Sequence, residues 1–540
     1  MGVFKIVRWL LVSPFTGGLC GRCTTYLGEK YISTFEIHLL TTLVALQTCT
    51  TYLYSTHFFM KKRTLFIAAC ILFFNAQSQS VPGNWEGTLN VQGTELPVVF
   101  HIKKDSSNNL TATFDSPKQN AYNLPCSDVI TKDDSLILMM KMVNGRYEGL
   151  LSADKKTVSG KWFQGNNNLP LTLKKTSDVV TVKEFKRPQT PKPPFSYQIE
   201  EVVYFNADKS IQFGATFTYP SKTAGKIYPT VLLITGSGQQ DRDETIFDHK
   251  SFAVIADYLT RQGIAVLRVD DRGKGKTTGD YSQSTSADFA LDAAAGINYL
   301  KSRRETDSLN LGIIGHSEGG MIAPIVAAKR KDIKFIVLLA GPAIPIINLM
   351  EQQSVDVAAS TGVSATDLEL YRPLYKNMVM AVIKEKDTAI ASKNATDVFN
   401  YWQNKTTPAV VKNTTGVTDE KSKAAFIAVF VQQLQQPWFK YFMQFNPEDY
   451  LSKVQCAVLA LNGEKDIQVA AAPNLASIHK ILSKNNNRNF KTQVLPGLNH
   501  LFQHCNKCSV DEYAELEETF APEVLQIMTE WIKETTGKKS

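Results

Sequence analysis

A serine set between two glycines is the residue of this chain most suited to covalent chemistry. Residues 315–319 read G-H-S-E-G, with Ser317 at the centre. A serine at a sharp turn between a strand and a helix has a strained backbone, and glycines two residues to either side remove side chains that would collide there. An apolar run at 309–314 precedes the motif, and a helix-compatible stretch of small residues follows it. The sequence therefore predicts that Ser317 is a nucleophile at a strand-to-helix turn.

A serine nucleophile needs a general base and an acid that orients the base. When the serine lies on a strand-to-helix turn, the acid and then the base follow it along the chain. An apolar run at 454–461 reads as a buried parallel strand, and the turn after it carries Asp466. A later predicted strand, at 490–495, leads into a loop that carries His500. We therefore predict Asp466 as the acid and His500 as the base.

Neighbouring side chains leave alternatives for both roles. Glu464 lies two residues before the predicted acid, and His504 lies four residues after the predicted base. His316 is next to the nucleophile, but adjacent residues at such a turn point in different directions, so we expect it to be structural. We expect structural or exposed positions for His249 and His479 as well.

Backbone N–H groups that could stabilise an oxyanion are expected at two places. A predicted strand at 229–234 is followed by the loop T-G-S-G at 235–238, and we predict the N–H of Ser237 as one donor. The second predicted donor is the N–H of Glu318, at the positive end of the helix that follows the nucleophile.

The loop after a further predicted strand, at 263–270, looks superficially like a phosphate-binding loop. The pattern G-x-x-x-x-G-K-[ST] would need a glycine at position 270, where this chain has Asp270. The sequence therefore does not predict a nucleotide phosphate site there.

Five short motifs occur in one order between about residues 195 and 535. They are T-G-S-G at 235–238 with D-R-D at 241–243, D-D-R-G-K-G at 270–275, G-H-S-E-G-G at 315–320, L-N-G-E-K-D at 461–466 and G-L-N-H at 497–500. With this set the chain resembles the α/β-hydrolase superfamily, in particular bacterial esterases similar to EstD. The resemblance implies a mostly parallel sheet flanked by helices, a triad of Ser317, Asp466 and His500, and no metal or organic cofactor.

The same resemblance implies hydrolysis of carboxylic esters, often with short acyl chains, so a small-molecule ester is the expected partner. Related sequences are frequently labelled serine aminopeptidases, which leaves an exopeptidase with the same triad as one alternative. That activity needs a carboxylate to hold a free amino terminus, and Glu351, Glu369 and Glu385 are candidates. A catalytically silent surface protein that binds glycan or lipid is the other alternative, but a silent scaffold has no chemical need for the three triad residues together.

Length and composition indicate several domains with sizeable cores, since the chain has 540 residues of which 43% are hydrophobic. The formal net charge is +8. Residues 1–80 contain seven Lys or Arg and two Asp or Glu, so the remainder of the chain carries only a small positive charge. Without a dense basic cluster, the sequence argues against a nucleic-acid partner.

A complete signal peptide is predicted at 60–80, well inside the chain. It has a basic start at Met60, an apolar stretch at 64–74 and small residues for cleavage. We therefore expect residues 1–59 to be an over-extended gene model and the mature protein to be exported, to the periplasm or beyond. A membrane anchor at 39–74 is the alternative, but His57 and the basic cluster at 61–63 interrupt it. Cys70 also ends a lipoprotein-like motif whose apolar stretch is too short.

Four cysteines remain after residue 80, namely Cys126, Cys456, Cys505 and Cys508. In an oxidising compartment the last two, in a C-x-x-C pattern, are candidates for a local disulfide that braces the histidine loop. Together with His500 and His504 they also resemble a zinc cluster. We disfavour zinc because His500 cannot be both a general base and a metal ligand.

Residues 81–175 show alternating apolar residues and turn signals, which predict a small antiparallel β domain. Trp85 and Trp162 within it could form a ligand-binding face, although core packing is the favoured interpretation. A proline-rich linker at 176–196 follows, extended and semi-rigid. The predicted hydrolase core occupies 197–343 and 451–540.

Residues 344–450 separate the two parts of that core and are dominated by helical patterns. A cap in this fold lies over the nucleophile and shapes the substrate pocket, so its large side chains are candidates for lining that pocket. They are Met350, Tyr371, Tyr375, Trp402, Phe430, Trp438 and Tyr441. We expect most of them to form the core of the cap itself.

Overall fold

The computed structural model describes residues 81–537 except for 92–93, 118–120, 141–144, 165–166, 177–185, 222 and 224. The predicted signal peptide at 60–80, its lipoprotein alternative and the over-extended segment at 1–59 lie outside the described residues. Among the helices of the described part, none combines the length and the apolar character that crossing a bilayer requires.

Nine antiparallel strands make up the N-terminal domain in the described part of the chain. They are β1 (Gly83–Val91), β2 (Thr94–Lys104), β3 (Leu110–Ser116), β4 (Ala121–Pro125), β5 (Asp128–Lys132), β6 (Ser135–Met140), β7 (Gly145–Leu151), β8 (Thr157–Gln164) and β9 (Asn167–Thr176). Their order in the sheet is β4-β3-β2-β1-β9-β8-β7-β6-β5. The sheet curls until β3 contacts β5, which makes it an antiparallel half-barrel.

Alternate side chains of these strands point into one apolar core, because successive residues of a strand face opposite sides of the sheet. Trp85, Phe100, Tyr147 and Trp162 lie in this core, each with 5% or less of its surface exposed. The core interpretation of the two tryptophans is therefore confirmed. Neither residue contributes to an exposed ligand-binding face.

A second sheet of eight strands forms the body of the C-terminal domain. Its strands are β10 (Gln198–Phe205), β11 (Gln212–Tyr219), β12 (Tyr228–Ile234), β15 (Ala265–Val269), β16 (Thr306–His316), β17 (Phe335–Leu339), β18 (Ala457–Gly463) and β19 (Phe490–Leu495). The order is β10-β11-β15-β12-β16-β17-β18-β19. The neighbours from β15 to β19 pair in parallel, whereas β11 pairs antiparallel with both β10 and β15. A small hairpin of β13 (Thr245–Ile246) and β14 (His249–Lys250) lies outside this sheet.

The strand register places the ends of the parallel strands side by side. Ile234 at the end of β12 pairs with Gly315 in β16, and Gly463 at the end of β18 pairs with Leu495 at the end of β19. The carboxyl ends of parallel strands share one edge of a sheet, and ligand sites in open α/β sheets lie outside that edge. The loops after β12, β16, β18 and β19 therefore meet there, and these are the loops that carry the predicted site residues.

Helices pack around this sheet and fill the long connection between β17 and β18. They are α1 (Ser251–Arg261), α2 (Ser286–Ser302), α3 (Glu318–Lys329), α4 (Ile346–Ser360), α5 (Ala365–Val382), α6 (Thr388–Gln403), α7 (Pro408–Thr415), α8 (Glu420–Leu434), α9 (Pro437–Gln444), α10 (Glu448–Leu451), α11 (Ala471–Lys484) and α12 (Pro522–Thr535). Helices α4 to α10 form the helical insertion, residues 346–451.

The strand predicted from 454 begins three residues later, at Ala457. The N–H of Val454 donates to the carbonyl of Leu451 at the end of α10, and its carbonyl accepts from the Asn487 side chain at 3.0 Å. With both backbone groups of Val454 engaged, strand pairing starts only beyond it. Apolar character alone could not show this local competition.

The end of the linker is hydrogen-bonded to the C-terminal domain. Its Arg187 guanidinium donates at 2.8 Å to three carbonyl oxygens, those of Phe247, Ala514 and Leu516. The side-chain oxygen of Gln189 accepts from two successive backbone N–H groups, those of Thr519 and Phe520. Residues 187–189 are therefore a fixed part of the surface that supports segment 513–520.

Close packing between β16 and β17 depends on one glycine. Gly312 pairs with Phe335, and a β-carbon at position 312 would lie 2.2 Å from Cε2 of the Phe335 ring. That ring is fully buried and packs edge-on against Trp531 at a centroid distance of 5.8 Å. The ring has no free space to move into, so position 312 must lack a side chain.

We expect Gly312→Ala to lower the free energy of unfolding by about 1–3 kcal/mol, because the added methyl group must displace a buried ring. In a Phe335→Leu background the same change should cost less, although Phe335→Leu is itself destabilising. Urea unfolding followed in the far-ultraviolet helix band measures both costs, since the described helices all lie between residues 251 and 535. Equal costs in the two backgrounds would show that the ring is not the obstacle.

Candidate active site

Ser317 lies at the turn between β16 and α3. Its backbone has φ 52° and ψ −116°, a left-handed region that a residue with a side chain adopts only at a cost. Added β-carbons would lie 2.1 Å from the Gly319 carbonyl oxygen at Gly315, and 2.1 Å from the Ile234 carbonyl oxygen at Gly319. The turn therefore requires both glycines of the motif, for the steric reason from which it was predicted.

The structure brings Asp466 and His500 together. His500 Nδ1 lies 2.8 Å from Asp466 Oδ2, and both residues are buried. The other carboxylate oxygen of Asp466 accepts the backbone N–H groups of Gln468 and Val469, each at 2.8 Å, and these bonds fix its orientation. Since a carboxylate accepts the bond, Nδ1 of His500 carries the proton and Nε2 is left with a lone pair in the neutral ring.

The hydroxyl of Ser317 makes no hydrogen bond to the residues that the structure describes, and the side chain is half-buried. The ring of His316, the residue before it in the chain, lies 4.9 Å from the ring of His500. Catalytic hydrogen bonds are often long before substrate binds. The geometry thus joins the predicted acid to the predicted base directly and places the predicted nucleophile at the same edge without that last bond.

The alternative acid and base lie elsewhere. Glu464 has 48% of its side chain exposed, and its carboxylate accepts the N–H of Gly497 at 3.1 Å. The ring of His504 is 56% exposed and lies within 3.1 Å of two surface carboxylates, those of Glu518 and Glu523. The pair with buried, mutually hydrogen-bonded geometry is Asp466 and His500.

Two backbone N–H groups are the predicted donors to an oxyanion beside Ser317. Those of Ser237 and Glu318 donate to no carbonyl of the described residues, and Glu318 is the first residue of α3, where helical N–H groups are unsatisfied. The N–H of Gly236 is already taken, because it donates to Glu244 Oε1 at 2.7 Å. The N–H of Ser237, the next residue of this loop, is not engaged in that way within the described part of the chain.

The side chain of Glu318 connects the helical insertion to the nucleophile turn. Its Oε1 accepts from the Ser286 hydroxyl at 2.6 Å and from the Trp438 indole N–H at 2.8 Å, and the Ser237 side chain hydrogen-bonds to the same carboxyl group. Burial raises the pKa of Glu318 and the three hydrogen bonds oppose that rise. The motif predicts a role only for the backbone N–H of Glu318, because it carries no sign of these long-range side-chain contacts.

Trp438 is one of the aromatic residues predicted to line the pocket, and it contacts the site through this bond. Most residues of that set are instead packed inside the helical insertion, as expected. Those with 8% or less of their surface exposed are Met350, Tyr371, Tyr375, Trp402, Phe430 and Trp438. Tyr441 is partly buried against the same core.

The three carboxylates considered for holding a free amino terminus differ in their surroundings. Glu351 already pairs with Lys376 at 3.1 Å and with Arg372 at 3.7 Å. Glu385 accepts the backbone N–H groups of its two following residues. Glu369 is exposed.

Of the histidines expected to be structural, His249 is buried and hydrogen-bonded to Thr519 and to the Tyr513 carbonyl. Burial, together with the positive charge of Arg187, lowers the pKa of His249 to about 4. His479 is exposed and packs edge-on against Phe490. His316 is buried, and its ring contacts Glu244 and the backbone of the His500 loop.

A cavity lies beside the loop at 235–238, which we call the oxyanion loop. Its lining includes Gly236, Gly238, Asp271, Tyr281 and Glu318. Burial raises the pKa of Asp271 and of Tyr281 well above their ordinary values. Neither Ser317 nor His500 is among the residues that line it. The cavity therefore borders the site without containing the reacting groups.

The predicted disulfide between Cys505 and Cys508 is present. The Glu512 carboxylate accepts the backbone N–H groups of Asn506, Lys507 and Cys508. The shortest of these contacts, 2.7 Å, is to Cys508. Sulfur atoms joined in this way are not thiolate ligands, and His500 is bonded to Asp466, so these four side chains do not form a metal site together. Cys126 and Cys456 are unpaired thiols, and burial raises the pKa of each to about 12.

Comparison with known proteins gives one family match. Residues 248–418 match the model of the serine aminopeptidase family S33. The match includes Ser317 and ends before Asp466 and His500. It covers less than half of the chain.

A curated relative is the esterase EstD of Thermotoga maritima, 34% identical over 126 residues. That alignment covers 23% of this chain and 30% of the relative, so the chain matches less than a third of that protein's length.

Similar solved structures include an esterase of Pyrococcus furiosus, with a TM-score of 0.37 at 15% identity, covering 65% of this chain and 98% of that one. Another is Est1E of Butyrivibrio proteoclasticus with ferulic acid bound, with a TM-score of 0.35 at 17% identity, covering 62% of this chain and 100% of that one. At these TM-scores the two structures add no argument. By its strand order and the turn at Ser317 the chain has the α/β-hydrolase fold, and its sequence is similar to the S33 serine aminopeptidases and to EstD.

Proposed function

We propose that the protein is a serine hydrolase that cleaves carboxylic esters, with short acyl chains, through a covalent acyl-enzyme. The observation that carries the proposal is the buried pair of Asp466 and His500, 2.8 Å apart at the sheet edge where Ser317 occupies its strained turn. These are the three groups that nucleophilic acyl transfer needs.

In this mechanism Nε2 of His500 takes the hydroxyl proton as the Ser317 oxygen attacks the ester carbonyl carbon. Asp466 holds the imidazole in the required tautomer and stabilises the imidazolium. The N–H groups of Ser237 and Glu318 bind the tetrahedral oxyanion, and loss of one such donor costs roughly 3 kcal/mol of transition-state stabilisation. His500 then gives the proton to the leaving alkoxide. Water repeats the sequence on the acyl-enzyme, which releases the acid and restores Ser317.

Two observations favour esters over peptides. The curated relative EstD is named an esterase, and two of the acidic residues of the helical insertion already have partners. The helical insertion acts as a cap in this proposal. A hydrogen bond supports that role, because the indole N–H of Trp438 in α9 donates to Glu318, the residue directly after the nucleophile. Export remains part of the proposal, and the Cys505–Cys508 disulfide fits an oxidising compartment.

We expect Ser317→Ala to abolish both ester turnover and covalent labelling by a fluorophosphonate probe, because no nucleophile remains. Ser302→Ala is the matched control, since Ser302 is an exposed serine of α2. It should keep both properties. Hydrolysis of p-nitrophenyl acetate and gel fluorescence of the probe measure the two effects, and labelling of the Ser317→Ala protein would contradict the assignment.

Replacing Asp466 by Asn should lower kcat about 10³–10⁴-fold, because the amide can hold His500 in the wrong tautomer while the packing stays intact. Glu464→Gln provides the control at the neighbouring acid, which is half-exposed and does not contact His500. We expect little change in its kcat. Steady-state kinetics on one ester measures kcat for both variants. A large loss of kcat in Glu464→Gln with little loss in Asp466→Asn would assign the acid role to Glu464.

The bond class is tested with purified 81–540 on p-nitrophenyl acetate, butyrate and decanoate beside aminoacyl and prolyl p-nitroanilides. We expect fast turnover of the short esters that depends on Ser317, slower turnover of decanoate and inert anilides. Fast turnover of the anilides with inert esters would establish the exopeptidase instead. The absence of any labelling or turnover would favour a silent scaffold.

A further inference from the structure

Three segments must meet correctly for the proposed chemistry, and one pair of side chains contacts all of them. Glu244 Oε1 accepts the N–H of Gly236 in the oxyanion loop at 2.7 Å and lies 2.9 Å from Nδ1 of His316 in the nucleophile turn. Nε2 of the same His316 ring lies 3.1 Å from the carbonyl oxygen of His500. The pair thus bridges the oxyanion loop, the nucleophile turn and the base loop.

The partners of His316 determine how many protons the pair holds. A carboxylate and a carbonyl oxygen are both acceptors, so neither can supply the hydrogen of its bond. Both bonds exist together only when Nε2 of His316 carries one proton and a second lies between Nδ1 and the Glu244 carboxyl group. A pair with one proton must lose one of the two bonds.

Because the pair is buried, losing one of the two hydrogen bonds of His316 costs free energy. Glu244 is 1% exposed and His316 is 5% exposed, and Leu339, Leu501 and Phe520 are among the apolar residues around them. An unsatisfied buried polar group costs more free energy than the bond it replaces gains. Glu244 also has a backbone φ of 50°, a strained value that the surrounding turn holds in place.

We propose that Glu244 and His316 are positioning residues, which together hold Gly236 and His500 against Ser317 only while the pair contains two protons. This inference rests on the proposed function, since positioning has meaning only for a reacting site. Neither residue touches the substrate carbonyl in this scheme. They act through the loops that do.

The electrostatics fit this arrangement. Burial alone would lower the pKa of His316, but the Glu244 charge and hydrogen bond, the bond to the His500 carbonyl and the charge of Asp466 together raise it. Asp271 is the further acidic group whose charge interaction reaches Glu244. A raised pKa means that the ring keeps its second proton to a higher pH than a free imidazole does, and loses it as the pH rises through the raised value. The pair therefore predicts a fall in activity on the alkaline side.

The test is the pH profile of two variants. Glu244→Gln removes the charge that holds the proton on His316, so the alkaline fall in kcat/KM should move to lower pH by about one unit or more. His316→Gln has no group to titrate there, so its alkaline fall should disappear, with kcat reduced about 10–100-fold through misplacement of the loops. The profile is measured twice, by ester hydrolysis and by the rate of fluorophosphonate labelling of Ser317.

Asp115→Asn is the matched control, because it removes the acid of another buried pair, His101 and Asp115, 2.9 Å apart in the N-terminal domain. It should lower the thermal midpoint and leave the alkaline fall in place. An alkaline fall that is unmoved in Glu244→Gln, or that persists in His316→Gln, overturns the inference.

Nitrogen NMR of the histidine rings separates this inference from the proposed function. In the wild-type protein both nitrogens of His316 should carry protons at neutral pH, and in Glu244→Gln they should lose one at a lower pH. A His316 ring that lacks a proton on Nε2, or whose Nδ1 shares no proton with Glu244, overturns the inference whatever the activity. A wild type that is never labelled at Ser317 instead defeats the proposed function, and the NMR result still decides the state of the pair.

Discussion

The parallel pairing of β12, β16, β17, β18 and β19 decides where every proposed catalytic group lies. Residues far apart in the chain leave the sheet at one edge because their strands end in register. Contact at this edge is as close as backbone atoms allow, since a β-carbon at Gly319 would come within 2.1 Å of the Ile234 carbonyl oxygen. The turn of Ser317 therefore rests directly on the end of the strand that begins the oxyanion loop. A shift of either strand would separate the nucleophile from its N–H donors.

Local patterns in the sequence were enough for the parts of the site that depend on local chemistry. The glycines around Ser317, the apolar strands and the turns after them predict the edge and the loops that carry Asp466 and His500. The C-x-x-C spacing likewise makes a disulfide one candidate beside free thiols, because two cysteines three residues apart can reach one another within a single turn, and the structure has the disulfide. In these cases the physical cause lies within a few residues of the signal.

The contacts that sequence reasoning missed are long-range ones. Glu244 meets His316 across 72 residues and Trp438 meets Glu318 across 120 residues. Each is set by how loops and helices pack after the sheet has formed, and no periodicity or motif records which side chain will face which. The late start of β18 has a similar origin, because the side chain of Asn487 takes the carbonyl that strand pairing would have used.

Buried acids surround the proposed oxyanion site, although that site must stabilise negative charge. Their hydrogen-bond donors are neutral, the hydroxyl and indole groups on Glu318 and the Thr235 hydroxyl and Gln240 N–H on Asp271. Burial raises the pKa of both carboxyl groups and so favours their uncharged forms. A wall of this kind orients the loops through directed hydrogen bonds.

The helical insertion starts after β17 and ends before β18, and these two strands are neighbours whose residues Leu339 and Leu461 pair directly. A segment whose two ends are this close can change in length or sequence without disturbing the strands on either side. Selection can therefore replace the insertion while the residues at the sheet edge are inherited unchanged, and in the proposed cap role such a replacement would change the range of accepted substrates. The bond from Trp438 to Glu318 is the point at which such an exchange would reach the chemistry.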